Sequence, residues 1–169
     1  MRILLADKFP TSDLEALSGD GHECDLKPDL NGDTLPGAIG NAEILVVRST
    51  PVTRATIDAG PSLCLIIRAG AGTNSIDTQA ATEREIRVCN VPGRNAAAVA
   101  ELVIGLIIAI DRNIPDNVAD LRAGRWNKKR YSAARGLYGR SLGLVGLGAV
   151  GLAVLERARG FGFEMRVID

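Results

Sequence analysis

Short apolar runs separated by polar, turn-rich spacers mark the first half of this chain. Residues 3–6 (ILLA) read as a strand, and 12–17 as a helix with Leu14 and Leu17 on one face. A weaker strand is predicted at 22–26, a short helix at 33–39 among turn residues, and a fully apolar strand at 44–47. Thr53 stands where an N-cap would open a helix to Ala59. The apolar strand pattern returns at 63–67, followed by a helix from Asp77 to Arg84 and a strand at 87–89. Strands that are apolar throughout and alternate with helices predict an α/β fold, a parallel sheet covered by helices on both faces.

From Asn95 the pattern changes to AAAVAELVIGLIIAI, a helix expected to kink at Pro115 and continue to about Ala123. Most of its faces are apolar, so it needs burial on several sides, as a helix joining two domains or two subunits would have. Its apolar part, 96–110, would span about 22 Å against a hydrocarbon core of roughly 30 Å, which argues against a membrane span.

Residues 141–169, SLGLVGLGAVGLAVLERARGFGFEMRVID, carry the most specific pattern. An apolar strand leads into Gly146, Gly148 and Gly151 in GxGxxG spacing, then a helix, then a second apolar strand ending at Asp169. In that order the first glycine permits a tight turn, the second lets backbone approach a pyrophosphate, and the third lets helix and strand pack closely. The free N–H groups of the helix start favour phosphate. An acid 18 residues beyond Gly151 suits a ribose 2′-hydroxyl and selects NAD over NADP. The competing reading has the glycines serve close packing alone, and the strand and helix around them favour the dinucleotide.

Composition narrows the class further. With 46% apolar and 24% charged residues the chain can build a core, and 20 basic residues balance 20 acidic ones. That balance points away from nucleic acid and anionic membranes. The basic, aromatic stretch 124–139 (GRWNKKRYSAARGLYG) accordingly reads as a solvated linker. Cys24, Cys64 and Cys89 lack metal-ligand spacing and read as reduced and structural, the last two buried within apolar runs. The N-terminus, MRILLADKFP, has too short an apolar run for a signal peptide, and a cytoplasmic location is expected.

Several stretches in order resemble the D-2-hydroxyacid dehydrogenase family: VVRSTPVT at 46–53, RAGAGTNSID at 68–77, NVPGRNAAAVAELVIG at 90–105, AGRWNK at 123–128 and GLGAVG at 146–151. The match is nearest the branch that oxidises 3-phosphoglycerate toward serine. The resemblance implies a flavodoxin-like substrate domain at 1–94 lacking its C-terminal return segment. It further implies an interface helix at 95–110 that makes a homodimer or higher oligomer, leading into the first βαβ of a truncated NAD-binding Rossmann domain.

By the same resemblance Arg48 and Ser49 bind the phosphate end of a small phosphorylated 2-hydroxy acid, a role suited to a guanidinium fork. Backbone N–H groups of residues 69–72, with Gly70, Ala71 and Gly72 as site residues, receive the substrate carboxylate. Asn95 is a further substrate contact, or the cap of its helix, or both. Ala71, Gly146, Gly148, Ala149, Val150, Gly151 and Asp169 contact NAD, and Ala149 replaces a cationic residue found in many relatives. The family's catalytic histidine, glutamate and arginine fall beyond Asp169, and His22 matches none of them. The chain is therefore expected to be inactive by itself. A glyoxylate or hydroxypyruvate reductase, and a non-catalytic, corepressor-like dinucleotide-binding module, remain as alternatives.

Overall fold

A computed structural model describes residues 1–168. The chain falls into two compact units, Met1–Arg94 and the residues from Asn95 onward.

The first unit runs β1 (Arg2–Leu5), α1 (Thr11–Gly19), β2 (Glu23–Leu26), α2 (Leu35–Ala38), β3 (Ile44–Val47), α3 (Arg54–Ala59), β4 (Leu65–Arg68), α4 (Thr78–Glu83), β5 (Arg87–Asn90). Its five strands are all parallel, in the order β2-β1-β3-β4-β5, the flavodoxin-like winding. Alternation along each strand divides the apolar residues between two faces. Leu4, Leu45, Val47 and Ile66 pack with Leu35 of α2, Ile39 just after it, Ile57 of α3, and Ala80 and Ala81 of α4. Ile3, Leu5 and Ile44 face Leu14 and Leu17 of α1. Because α1 alone packs there, Val46, Leu65 and Ile67 are only partly buried, and coverage is less even than the sequence pattern suggests.

Local chemistry sets the helix starts. Asp77 caps α4, its Oδ1 accepting the Ala80 N–H at 2.9 Å. Thr53 occupies the N-cap of α3 in extended conformation, and its side chain makes no capping bond. β4 begins at Leu65, two residues later than the apolar run, although Leu63 is buried in the core. The burial expected for two cysteines is incorrect. Cys64 precedes β4 and is exposed, its Sγ donating to the Glu43 carbonyl at 3.2 Å, and Cys89 is exposed on the edge strand β5. An apolar neighbourhood in sequence does not bury a residue that lies at a sheet margin.

The second unit contains α5 (Ala96–Asp111), α6 (Ile114–Arg122), α7 (Lys128–Tyr131), β6 (Ser141–Val145), α8 (Ala149–Arg159) and β7 (Glu164–Ile168). β6 and β7 are parallel neighbours. Ala100 and Ile104 of α5 pack on Val154 and Ala158 of α8, with Leu142, Leu144, Phe163 and Met165 around them. The alanines at this contact allow close helix approach. Arg157 reaches Glu101 at 3.3 Å across the same pair.

The expected kink at Pro115 is a break instead. Asn113 adopts the left-handed conformation (φ 49°), and α6 starts anew with Pro115 in its first turn, where a missing N–H costs nothing. Within this chain the long helix keeps an exposed apolar side, with Leu102, Leu106 and Ile110 at 62%, 52% and 76% exposure. The basic stretch is more ordered than a solvated linker. Asp120, buried, accepts the Tyr131 hydroxyl at 2.6 Å and Arg125 Nη2 at 2.7 Å, and Asp111 accepts the Gly136 N–H and Arg140 Nη1. The Tyr131 hydrogen bond, with that of Arg125, holds the Asp120 carboxyl below the usual carboxylate range. Among the described residues no helix is long and apolar enough to cross a membrane.

Candidate functional site

In an open parallel sheet the strands' carboxyl ends form a crevice where the winding reverses, here between β1 and β3. The chain leaves β1 through Ala6 and Asp7 and leaves β3 through Arg48, Ser49 and Thr50. One carboxylate oxygen of Asp7, Oδ2, accepts all three N–H groups of that second turn, from Arg48 at 2.6 Å, Ser49 at 3.0 Å and Thr50 at 3.1 Å. The Thr50 hydroxyl, buried, donates to the Ala6 carbonyl at 2.8 Å and closes the loop. Burial pushes the Asp7 carboxyl up, but the backbone donors outweigh it and its pKa lies below the ordinary value. The Arg48 and Ser49 side chains are exposed at the crevice, and among the described residues Arg48 makes no ion pair.

The loop after β4 is fixed in the same way. Ala69 N–H donates to the Val47 carbonyl at 2.7 Å and Gly70 N–H to the Arg68 carbonyl at 2.8 Å. Two of the four N–H groups of this loop are thus engaged inside the fold. Among the described residues those of Ala71 and Gly72 donate to no protein acceptor. Asn90 Nδ2 clamps the Ala71 carbonyl at 2.6 Å, and the Val91 N–H holds that of Gly70 at 3.0 Å. A Cβ on Gly70 would meet the Arg68 guanidinium, so a larger residue there would displace that side chain. A Cβ at Gly72 would come within 2.9 Å of Asn74 Oδ1.

Arg68 pairs in register with Val47, so two strand ends side by side deliver Arg48 and Arg68. Arg68 Nε is buried without a hydrogen-bond partner among the described residues. Asp7, Arg68 and Asn90 were all missed by sequence reasoning. Arg68 alone left a local signal, since it stands at the last position of an apolar strand just before a run of small residues.

In the second unit, Asn95 takes the N-cap position of α5 with φ −98° and ψ 3°, and its side chain makes no capping bond. The glycine turn follows β6. Gly146 has φ 86°, a left-handed conformation in which a side chain would be strained, and its N–H donates to the Ile168 carbonyl at 2.8 Å. A Cβ on Gly151 would lie 2.5 Å from the Gly146 carbonyl oxygen, so α8 can approach the turn only with glycine there. Gly148 differs, because a Cβ on it would meet nothing within 4 Å.

Backbone conformation therefore explains Gly146 and packing explains Gly151, but neither explains Gly148, as expected if its open side admits a ligand. The first bond of α8 is donated by Leu152 to the Gly148 carbonyl, leaving the N–H groups of Ala149, Val150 and Gly151 directed out of the helix start. These donors and the open space fit a pyrophosphate. Asp169, the expected ribose ligand, lies outside the described residues.

His22 sits in the turn before β2, partly buried, away from these loops. Among the described residues no cluster of metal-ligating side chains occurs. Open clefts of about 300 Å³ beside Arg2, Asp25 and Lys27, and about 420 Å³ beside Ile107, Arg140 and Phe163, include none of the residues above.

Known proteins resemble this chain over most of its length. D-3-phosphoglycerate dehydrogenase of Methanocaldococcus jannaschii is 40% identical over 98% of this chain and 31% of its own length. Hydroxypyruvate reductase of Thermotoga maritima is 43% identical over 83% of this chain and 46% of its own. A crystal structure of NAD+-bound 3-phosphoglycerate dehydrogenase from Entamoeba histolytica superposes with a TM-score of 0.81 at 31% identity, covering all of this chain and 54% of that one. The chain thus spans about a third to a half of the length of these proteins. Residues 3–161 match the family described as D-isomer specific 2-hydroxyacid dehydrogenase, catalytic domain, and with the flavodoxin-like winding and glycine turn in place the chain belongs to that family.

Proposed function

We propose that the chain carries the substrate-binding and pyrophosphate-binding parts of an NAD-dependent D-3-phosphoglycerate dehydrogenase, which oxidises 3-phosphoglycerate to 3-phosphohydroxypyruvate. The observation that carries the choice is the pair of guanidinium groups, Arg48 and Arg68, without carboxylate partners at neighbouring strand ends. A dianionic phosphate supplies the missing charge and can accept bidentate hydrogen bonds from each. The Ala71 and Gly72 N–H groups, in the loop whose Ala71 carbonyl Asn90 holds, receive the acid's carboxylate, and Ser49 and Asn95 add polar contacts.

NAD supplies the hydride acceptor when bound. Gly146 to Gly151 would hold its pyrophosphate, with the N–H groups of Ala149 and Val150 as donors, and Asp169 would take the ribose. Ala71 would touch the cofactor as well. Support comes from the open face of Gly148 and from the NAD+-bound relative. The exposed stripe of Leu102, Leu106 and Ile110 fits a homodimer formed along α5. Residues 1–169 offer no histidine except His22, so this chain alone should produce no NADH above a blank.

The similarity to a hydroxypyruvate reductase keeps an unphosphorylated substrate as the second reading. Steady-state kinetics of a fusion of this chain to the remaining part of a matching relative, with 3-phosphoglycerate and with glycerate, separates the two. A preference of about 100-fold or more in kcat/KM for the phosphorylated acid, lost in Arg48→Gln, is expected. Equal turnover of both acids, unchanged in Arg48→Gln, would favour the reductase.

A further inference from the structure

The crevice between β1 and β3 is where a flavodoxin-like sheet offers N–H groups to an anion, and in this chain the anion is built in. Three consecutive N–H groups converge on one oxygen of Asp7 from 41, 42 and 43 residues away. They include the N–H groups of both residues assigned to the substrate's phosphate end. The Thr50 hydroxyl adds a second tie to the same strand end through the Ala6 carbonyl. Nothing comparable fixes the Arg48 side chain, which makes no ion pair among the described residues, so its direction is inherited from the backbone that Asp7 holds.

We infer that Asp7 is the positioning residue for the phosphate end of the substrate: its carboxylate occupies the N–H groups of Arg48, Ser49 and Thr50 and so leaves the Arg48 guanidinium as the feature that reads the phosphate. This rests on the assignment of Arg48 proposed above.

The effect of the Asp7 charge on phosphate binding is opposite to simple repulsion. A carboxylate near a dianion's site repels it, so removing the charge would tighten phosphate binding if long-range electrostatics decided the matter. Three charge-assisted hydrogen bonds spread that negative charge, and losing them frees the turn. Positioning therefore outweighs repulsion, and the neutral variant binds the phosphorylated acid more weakly. The carboxylate end of the substrate meets the β4 loop, which is held by Asn90 and Val91 and has no bond to Asp7. Asp7 should accordingly matter for one end of the ligand only.

The test is a titration of the 169-residue chain with 3-phosphoglycerate and with glycerate, followed by amide chemical shifts, in wild type, Asp7→Asn, Asp7→Glu and Arg48→Gln. Wild type should prefer the phosphorylated acid, and Arg48→Gln should lose that preference. Asp7→Asn should weaken 3-phosphoglycerate about tenfold and glycerate less than about twofold. Asp7→Glu keeps the charge but moves the acceptor by one methylene, and should show the same selective loss. Equal weakening of both acids would mean that Asp7 serves folding alone and would overturn the inference, as would unchanged or tighter phosphate binding in Asp7→Asn. If Arg48→Gln keeps the preference, or wild type shows none, the assignment of Arg48 fails and the inference fails with it. Loss in Arg48→Gln with none in Asp7→Asn sinks the inference alone.

Discussion

The two units are built from the same grammar of strand, glycine-rich or small-residue turn, and helix, yet they close to different extents. In Met1–Arg94 the central strand β3 has a neighbour on each side, and Leu45, Val47 and Ile66 are wholly buried beneath α2, α3 and α4. In the second unit two strands share one crossover helix, and Val145 at the end of β6 remains 89% exposed. A parallel sheet gains its core from helices on its faces, and each added βα unit shields the one before. The first unit therefore has its own core, whereas the second relies chiefly on the α5 contact with α8.

The largest effect should follow from breaking the better-closed unit. Leu45→Ala is expected to cost about 2–5 kcal/mol in urea unfolding, with the hydrogen-exchange protection of α8 little changed. Gly151→Val places side-chain carbon against the Gly146 carbonyl, so α8 must move away. It should cost about 1–3 kcal/mol by thermal unfolding and remove detectable NAD binding, while Gly148→Ala leaves stability within about 0.5 kcal/mol and weakens NAD alone. Leu106→Lys should weaken self-association about tenfold by sedimentation at micromolar concentration, against little effect for Arg122→Ala.

The smallest effect concerns acid. The Asp7 carboxyl is depressed in the folded state, so the unfolded chain binds its proton first and folding gains stability above the unfolded pKa near 4. That gain disappears as pH falls through the lower folded value. Between pH 6 and pH 3 wild type should therefore lose stability that Asp7→Asn never had, a difference of about 1 kcal/mol or less for a partly exposed group.

What was legible in the sequence follows the range of the interactions involved. Strands β3 and β4 announce themselves through short apolar runs, and the glycine turn through spacing, because each is set by neighbours within a few residues. Pro115 was misread because a proline at a helix start and one in a kinked interior look alike in periodicity; the left-handed Asn113 decides between them. Cys89 was misplaced because sheet order, not local composition, puts β5 at an edge, and Cys64 because β4 starts one residue after it, leaving it in the exposed approach to the strand. Asp7 was invisible because its three donors come from the turn after β3, more than forty residues away. The N–H group of Ala69 is consumed by Val47, a consequence of strand register that no motif encodes, and that of Gly70 by Arg68 in a local turn.

The central claim is that each unit holds its own part of a dehydrogenase site. It is tested most directly by titrating the isotopically labelled chain separately with NAD and with 3-phosphoglycerate, and mapping the amides that shift. NAD should move residues 146–151 and leave 48–50 unchanged, with weak affinity given Ala149 in place of a cationic side chain; 3-phosphoglycerate should move residues 48–50 together with Ala71 and Gly72. Shifts from NAD that avoid the glycine turn, or from 3-phosphoglycerate that avoid both strand-end loops of the first unit, would contradict the account.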